Sequence, residues 1–284
     1  MVTMNLNQLI KDAILEDAPT GDITVTSLFK SHSTQNASLI AKQDGIFFGS
    51  DIIQAFFSEY DPNHQLTMYV KDGDHITKNT CICDITSKFD RILLVERSML
   101  NLIQRLSGIA TLTNLFVKKL DNPNICICDT RKTMIGLRTL EKAAVKAGGG
   151  VNHRFGLSDM ILIKENHLTM LKKNQELETL TNKIKQAKAK QPKLKAQIEI
   201  ETLDQLRSLD LNMFDFIMLD NFSYSDIPIA TKLCRERYPN SLIEISGNVT
   251  LETIDRYKPF DIDRISIGSL THSVAAFDIS LLLT

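Results

Sequence analysis

Apolar positions change their spacing twice along the 284-residue chain. Up to about residue 90, short alternating runs predict strands at Ala37–Ala41, Leu66–Val70 and Cys81–Ile85, with Lys71-Asp-Gly-Asp turning between the last two. From Arg91 to about Leu120 the apolar residues Val95, Met99, Leu102, Ile103, Leu106 and Ala110 recur at helical spacing. Gly108 marks a place for that helix to bend or divide. Arg97, Asn101 and Arg105 fall four apart, so they share a polar face, which reads as solvated.

Beyond residue 121 short apolar strands alternate with helical stretches, and each strand stops at a polar or small residue. Ile125-Cys-Ile-Cys ends at Asp129, Met160-Ile-Leu-Ile at Lys164, and Ala196-Gln-Ile at the Glu199-Ile-Glu201 pair. Phe216-Ile-Met-Leu ends at Asp220, Leu242-Ile-Glu-Ile at Ser246, and Arg264-Ile-Ser-Ile at Gly268. Six such units predict parallel strands joined by helices. Functional side chains at the carboxyl ends of several strands favour a TIM-type barrel. A doubly wound sheet is the alternative, but it concentrates its chemistry at one switch point. Lys172–Lys195 reads as an exposed barrel helix with Leu177, Leu180, Ile184 and Ala187 as its apolar stripe.

Composition narrows the choices. Apolar residues at 43% and charged residues at 24% describe an ordinary globular chain. Lys plus Arg (33) nearly balance Asp plus Glu (34), so no global field favours nucleic acid or an anionic membrane, and anion binding must come from local clusters. No apolar run is long enough to span a bilayer, and the first residues lack a secretory pattern, so the cytoplasm is the expected compartment. The cysteine count is odd, at five, which argues against a disulfide framework. Both Cys-Ile-Cys runs read as buried strand residues, because paired zinc ligands usually lie two or more residues apart.

The densest chemistry lies in Asp129-Thr-Arg-Lys-Thr-Met-Ile-Gly-Leu-Arg. Arg131 and Lys132 follow a strand end, where they can grip phosphate or carboxylate. A helix from near Leu137, capped by Gly148, comes next. Gly148-Gly-Gly-Val-Asn-His-Arg then adds His153 and Arg154, and the following strand ends in Lys164. Bringing five potential cations together is unfavourable unless an anionic ligand or carboxylates compensate. Glu199 and Asp220 supply carboxylates that can bind Mg²⁺ or stabilise positive charge developing on a sugar. Ser246-Gly-Asn and Ser266-Ile-Gly-Ser bring small residues and backbone N–H groups to the last strands, a common phosphate cradle. These residues describe an enzyme acting on a phosphorylated ligand with further anionic groups.

Three of these segments resemble the quinolinate phosphoribosyltransferases: Asp129-Thr-Arg-Lys-Thr, Gly148-Gly-Gly-Val-Asn-His-Arg-Phe-Gly-Leu-Ser-Asp, and Leu162-Ile-Lys-Glu-Asn-His. The likeness continues in Glu16-Asp-Ala-Pro-Thr-Gly-Asp-Ile-Thr, Glu96-Arg97, Asn101, Ser107-Gly-Ile-Ala, Leu219-Asp-Asn and Ser266-Ile-Gly-Ser-Leu-Thr-His-Ser. It implies an α/β fold, an N-terminal open α/β sandwich plus an incomplete (β/α) TIM-like barrel. The sandwich would cover 1–107, rejoined by the tail 274–284, and the barrel 108–273. The implied reaction moves ribose 5-phosphate from phosphoribosyl pyrophosphate to the quinolinate nitrogen. Pyrophosphate leaves, the C2 carboxylate departs as CO₂, and nicotinate mononucleotide results. By motif position Arg131, His153 and Arg154 would hold the quinolinate carboxylates. Lys132 and Lys164 would contact the phosphoribosyl donor, and Glu199 and Asp220 would engage the ribose hydroxyls and Mg²⁺. Ser246, Gly247, Asn248, Ser266 and Gly268 would form the phosphate cradle, with His272 nearby. Arg97 would reach the active site of the neighbouring subunit in a homodimer.

This chain departs from the family pattern twice. Met134-Ile135 stands where Thr-Pro is usual, which makes a less rigid loop. Asn248 replaces the second Gly of Ser-Gly-Gly, and Asn tolerates positive φ better than most residues. A ModD-like phosphoribosyltransferase, sharing the Thr-Arg-Lys and Gly-Gly-Gly elements but acting on another substrate, is the rival reading. A phosphosugar-binding protein without catalysis is a rival from a different class.

Overall fold

A computed structural model describes residues 6–29 and 33–284; the first five, part of the stretch searched for a leader, lie outside them. The chain begins with helices α1 (Leu6–Asp17) and α2 (Ile23–Leu28), then β1 (Thr34–Ala41), β2 (Gly45–Ile46) and α3 (Ser50–Tyr60). It continues through β3 (Gln65–Met68), β4 (His75–Ile76), β5 (Cys81–Lys88) and the long α4 (Phe89–Leu120). Next come β6 (Cys126–Cys128), α5 (Arg138–Ala147), β7 (Met160–Ile163), α6 (Glu165–Lys173) and α7 (Leu180–Lys190). The last third holds β8 (Lys195–Ile200), α8 (Leu203–Ser208), β9 (Phe216–Asp220), α9 (Ile227–Arg237), β10 (Leu242–Ser246), β11 (Arg264–Ser266), α10 (Ser269–His272) and β12 (Ile279–Leu283).

Two compact units emerge. The first gathers the stretch up to Asn114 together with Thr133–Gly149 and Ser269–Thr284. Its antiparallel sheet runs β12-β1-β5-β3, with β2 and β4 pairing separately. Alternation in β1 buries Ala37, Leu39 and Ala41, and helix α3 adds Ile52, Ile53, Phe56 and Phe57 to the core. Asp22 caps α2 by accepting from the N–H groups of Thr24 and Val25.

The α4 face predicted from periodicity is the buried one, through Val95, Met99, Ile103, Leu106 and Ala110. The helix runs unbroken through Gly108. A Cβ there would lie 2.2 Å from the Ala275 carbonyl oxygen, so this glycine lets the C-terminal segment approach the helix backbone. The Gln104 carbonyl accepts from the Phe277 N–H at 2.8 Å, and the Gln104 amide donates to the Ile279 carbonyl at 2.8 Å. These bonds lead directly into β12, whose Ala41↔Ile279 register sets it along β1.

The second unit holds Leu115–Lys132 and Gly150–Gly268. Its six parallel strands follow the order β6-β11-β10-β9-β8-β7. From β7 each step moves to the next strand in sequence, and β11 closes back onto β6, with no reversal of order. That is a partial barrel wrap rather than a doubly wound sheet, and among the described residues no strand joins β6 to β7. Val151 makes a single parallel bridge to Cys128 on the free side of β6.

Three sequence expectations need correction. Lys172–Lys195 is not one helix: α6 ends at Lys173, Leu177 lies in a 3-10 turn, and α7 covers only Leu180–Lys190. Cys83 and Cys128 are buried, but Cys81 is half-buried and Cys126 exposed, each standing at the first position of its strand. Arg105 is not on a solvated face. Its Nη2 lies 2.7 Å from Glu141 Oε1 and donates to the Thr271 carbonyl at 2.7 Å, while Glu141 has no solvent exposure. The other Glu141 oxygen accepts from the Met134 N–H, so this pair also holds the start of the loop before α5. Among the described residues no helix is long and apolar enough to cross a membrane.

Removing one member of a buried ion pair leaves the other charged and unpaired, at a typical cost of about 3–5 kcal/mol. Arg105→Ala should therefore lower the denaturation midpoint strongly, whereas Arg97→Ala on the exposed side of the same helix should leave it nearly unchanged. Chemical denaturation followed by circular dichroism checks both.

Candidate active site

Parallel strands in register bring their carboxyl ends to one edge, and the strand-end residues of the second unit gather there. Ser246 pairs in register with Asp220, and Ser266 with Cys128, the residue before Asp129. Asp129 is fully buried and accepts from the His153 N–H at 2.9 Å. The Val151 carbonyl accepts from the Asp129 N–H at 3.2 Å. These two bonds fasten the Gly-rich loop against the end of β6, which places Arg154 beside Arg131.

The proximity of these cations shows in their chemistry. The Arg154 guanidinium is held below its ordinary basicity, first by burial and then by the charge of Arg131, with Asp159 opposing. Its Nη1 donates to the Met160 carbonyl at 3.0 Å, which fixes its direction. Arg131 and Lys132 are exposed, and the Lys132 N–H is held by Thr130 Oγ1 at 3.1 Å.

Lys164, at the end of β7, pairs with Glu199 on β8 at 2.5 Å. Burial raises the Glu199 carboxyl above its ordinary value and outweighs the lowering by Lys164, while Asp220 and Glu165 add to the rise. Glu199 is thus a carboxylate under strain from desolvation and like charge, a state that a bound cation would relieve. Gly247 and Asn248 adopt φ of 98° and 49°, so the loop after β10 takes the left-handed backbone despite its Asn. Arg97 and His272 are both exposed and belong to the first compact unit. The Nδ1 of His272 lies 2.5 Å from Ser273 Oγ.

A layer beneath the strand ends escaped the sequence reading. Glu244, mid-strand on β10, has no solvent exposure. Its Oε2 accepts from Gln197 Nε2 on β8 at 2.9 Å and from Arg264 Nε on β11 at 2.5 Å. The Arg264 guanidinium stacks on the Phe216 ring of β9, 3.6 Å from its centre. Above, His153 Nε2 lies 3.4 Å from Glu244 Oε1. His153 Nδ1 accepts from the Arg154 N–H at 2.8 Å, which leaves the proton on Nε2, facing Glu244. Burial pushes the Glu244 carboxyl up, but His153 and Arg264 outweigh it and hold it below the ordinary value of 4.5. The available signal was a pair of opposite charges at matching depth in neighbouring apolar strands, since Glu244 and Arg264 are register partners.

Cations and carboxylates converging at the strand ends of a partial barrel, beside a left-handed small-residue loop, define a class of enzyme that binds a polyanionic, phosphate-bearing substrate. Comparison with known proteins agrees and narrows it. The family model for the C-terminal domain of quinolinate phosphoribosyl transferase matches residues 109–282, and that for its N-terminal domain matches 22–107. A Bacillus subtilis protein described as a probable nicotinate-nucleotide pyrophosphorylase (carboxylating) is 43% identical over 99% of this chain and 94% of its own length. The chloroplastic Arabidopsis thaliana enzyme of that name is 36% identical over 98% of this chain and 83% of its own. The solved nicotinate-nucleotide pyrophosphorylase of Francisella tularensis superposes with a TM-score of 0.88 at 34% identity, covering 98% of this chain and 96% of the other. The chain belongs to the quinolinate phosphoribosyltransferase family.

The depressed Glu244 carboxyl stabilises the fold above the ordinary glutamate range, and that contribution is lost as pH falls through its folded value. Glu244→Gln leaves Arg264 facing a neutral partner, so at neutral pH it should cost stability on the scale of a broken buried pair, about 3–5 kcal/mol. Thermal melts from pH 8 downward should show the gap to wild type closing below about pH 4.5.

Proposed function

We propose that this chain transfers the phosphoribosyl group of phosphoribosyl pyrophosphate to quinolinate, releasing pyrophosphate and CO₂ and forming nicotinate mononucleotide for NAD biosynthesis. The observation that carries this reading is the pairing of opposed requirements at one edge. Arg131, Arg154 and Lys164 supply charge for two polyanionic substrates, while Glu199 and Asp220 stand where positive charge develops on the ribose.

Arg131 and Arg154 grip the pyridine dicarboxylate; His153, expected to join them, stands behind them, one ring nitrogen holding the Arg154 N–H and the other meeting Glu244. Lys132 and Lys164 contact the donor and its departing pyrophosphate. Ser246, Gly247, Asn248, Ser266 and Gly268 hold the 5-phosphate. The ring nitrogen attacks C1 of the ribose as the bond to pyrophosphate breaks. The positive charge of the quaternised nitrogen then stabilises the electron pair that stays on C2 when the carboxylate departs as CO₂, and a proton from water takes the vacated place. The protein must orient the ring more than supply an acid or base.

Among the described residues no cluster of three or more His, Cys, Asp or Glu forms a self-sufficient metal cage. Glu199 and Asp220 do fit a Mg²⁺ carried in by the donor, because Mg²⁺ usually keeps one or two carboxylates plus substrate phosphates. It would supply charge for the leaving pyrophosphate. Arg97 completes the site from the second subunit of a homodimer. Five free cysteines suit a reducing compartment such as the cytoplasm.

Purified protein given quinolinate, phosphoribosyl pyrophosphate and Mg²⁺ should release CO₂ and form nicotinate mononucleotide, and chelation with EDTA should stop it. Lys164→Ala and Glu199→Ala should each lose about a hundredfold or more in turnover. Mixing folded Arg97→Ala with Lys164→Ala should restore activity that neither has alone, since a mixed dimer keeps one intact site. A folded wild-type dimer that makes no product would contradict the reading.

A further inference from the structure

Two loops of the site are joined by a chain of side-chain amides. Asn221, directly after Asp220, takes φ of 55° and donates its backbone N–H to the Ser246 carbonyl at 2.9 Å. Its Nδ2 donates to Asp220 Oδ2 at 2.8 Å, and its Oδ1 accepts from Asn248 Nδ2 at 3.1 Å. The direction of this chain is fixed by chemistry. A carboxylate only accepts, so the Asn221 amide must turn its nitrogen to Asp220, and its oxygen is then left to accept from Asn248. Gly247 lies under the same amide, and a Cβ there would fall 2.1 Å from Asn221 Oδ1. Asn221, Gly247 and Asn248 all use left-handed backbone, so two strand ends bend toward one contact.

We infer that Asn221 and Asn248 form a clasp that sets the spacing between the Asp220 carboxylate and the phosphate-binding loop, and that both are positioning residues for the phosphoribosyl donor. The inference rests on the proposed function, in which Asp220 meets the ribose and the Ser246–Asn248 loop meets the 5-phosphate. Those two groups belong to one small sugar phosphate, whose few bonds limit their separation, so two loops held at a matching spacing meet both ends at once. Loops after strands ordinarily move independently; here an amide joins them. A glycine at position 248 would have no side chain with which to make the outer link. In this chain the Asn248 amide supplies it and keeps the backbone φ that a glycine would take.

The test uses glycine substitutions, because glycine accepts left-handed φ without strain and any loss then reports the amides. Asn221→Gly, Asn248→Gly and the double variant are titrated with phosphoribosyl pyrophosphate and, separately, with quinolinate, by calorimetry on the intact protein with Mg²⁺. One lost hydrogen bond corresponds to roughly fivefold in affinity. Asn248→Gly should therefore bind the donor about fivefold more weakly and Asn221→Gly about tenfold to thirtyfold. Quinolinate affinity should not move, and the double variant should lose no more than Asn221→Gly alone. Losses that simply add, or that fall equally on quinolinate, would overturn the clasp while leaving the proposed reaction intact. A wild-type chain that does not bind the donor at all would overturn both.

Discussion

Glu244 is the group on which the second unit's site depends. It is a charged side chain with no solvent exposure, and it survives there because Gln197, Arg264 and His153 reach it from three directions. Buried ion pairs contribute little net stability against well-packed apolar residues, because desolvation cancels most of the attraction. Their value lies in geometry. This network ties β8, β10 and β11 together and sets the imidazole that carries the Arg154 N–H. The ligand-facing cations therefore stand on a floor whose charges already have fixed partners.

Above that floor the balance is deliberately incomplete. Glu199 is pushed upward by burial even with Lys164 against it, and Arg154 is pushed downward by burial and then by Arg131. Both shifts run against the charged form of the group. On the proposed function, a polyanion bearing Mg²⁺ would meet both, its anionic groups facing the arginines and its cation the carboxylates.

Much of this was legible in the sequence, and the gaps have physical causes. The six parallel strands and the buried face of α4 follow from local periodicity, which is a short-range property. Asp129, Lys164, Glu199 and Asp220 stood out because a polar residue ending an apolar run sits at a strand's carboxyl end. Arg105 was misplaced because its partner Glu141 is 36 residues away and no helical spacing connects them. Glu244 and Arg264 were passed over for the same reason, since only the strand register makes them neighbours. Asn221 and Asn248, 27 residues apart, meet only through two turns whose backbone lies outside any regular pattern.

The central claim is that the cations at the strand ends are arranged for a pyridine carrying two adjacent carboxylates. Calorimetric titration of the pure protein with quinolinate, and in parallel with nicotinate, tests this most directly. The account predicts saturable quinolinate binding that weakens steeply with added salt, and much weaker binding of nicotinate, which lacks the second carboxylate. Equal affinity for the two, or quinolinate binding indifferent to salt, would contradict it.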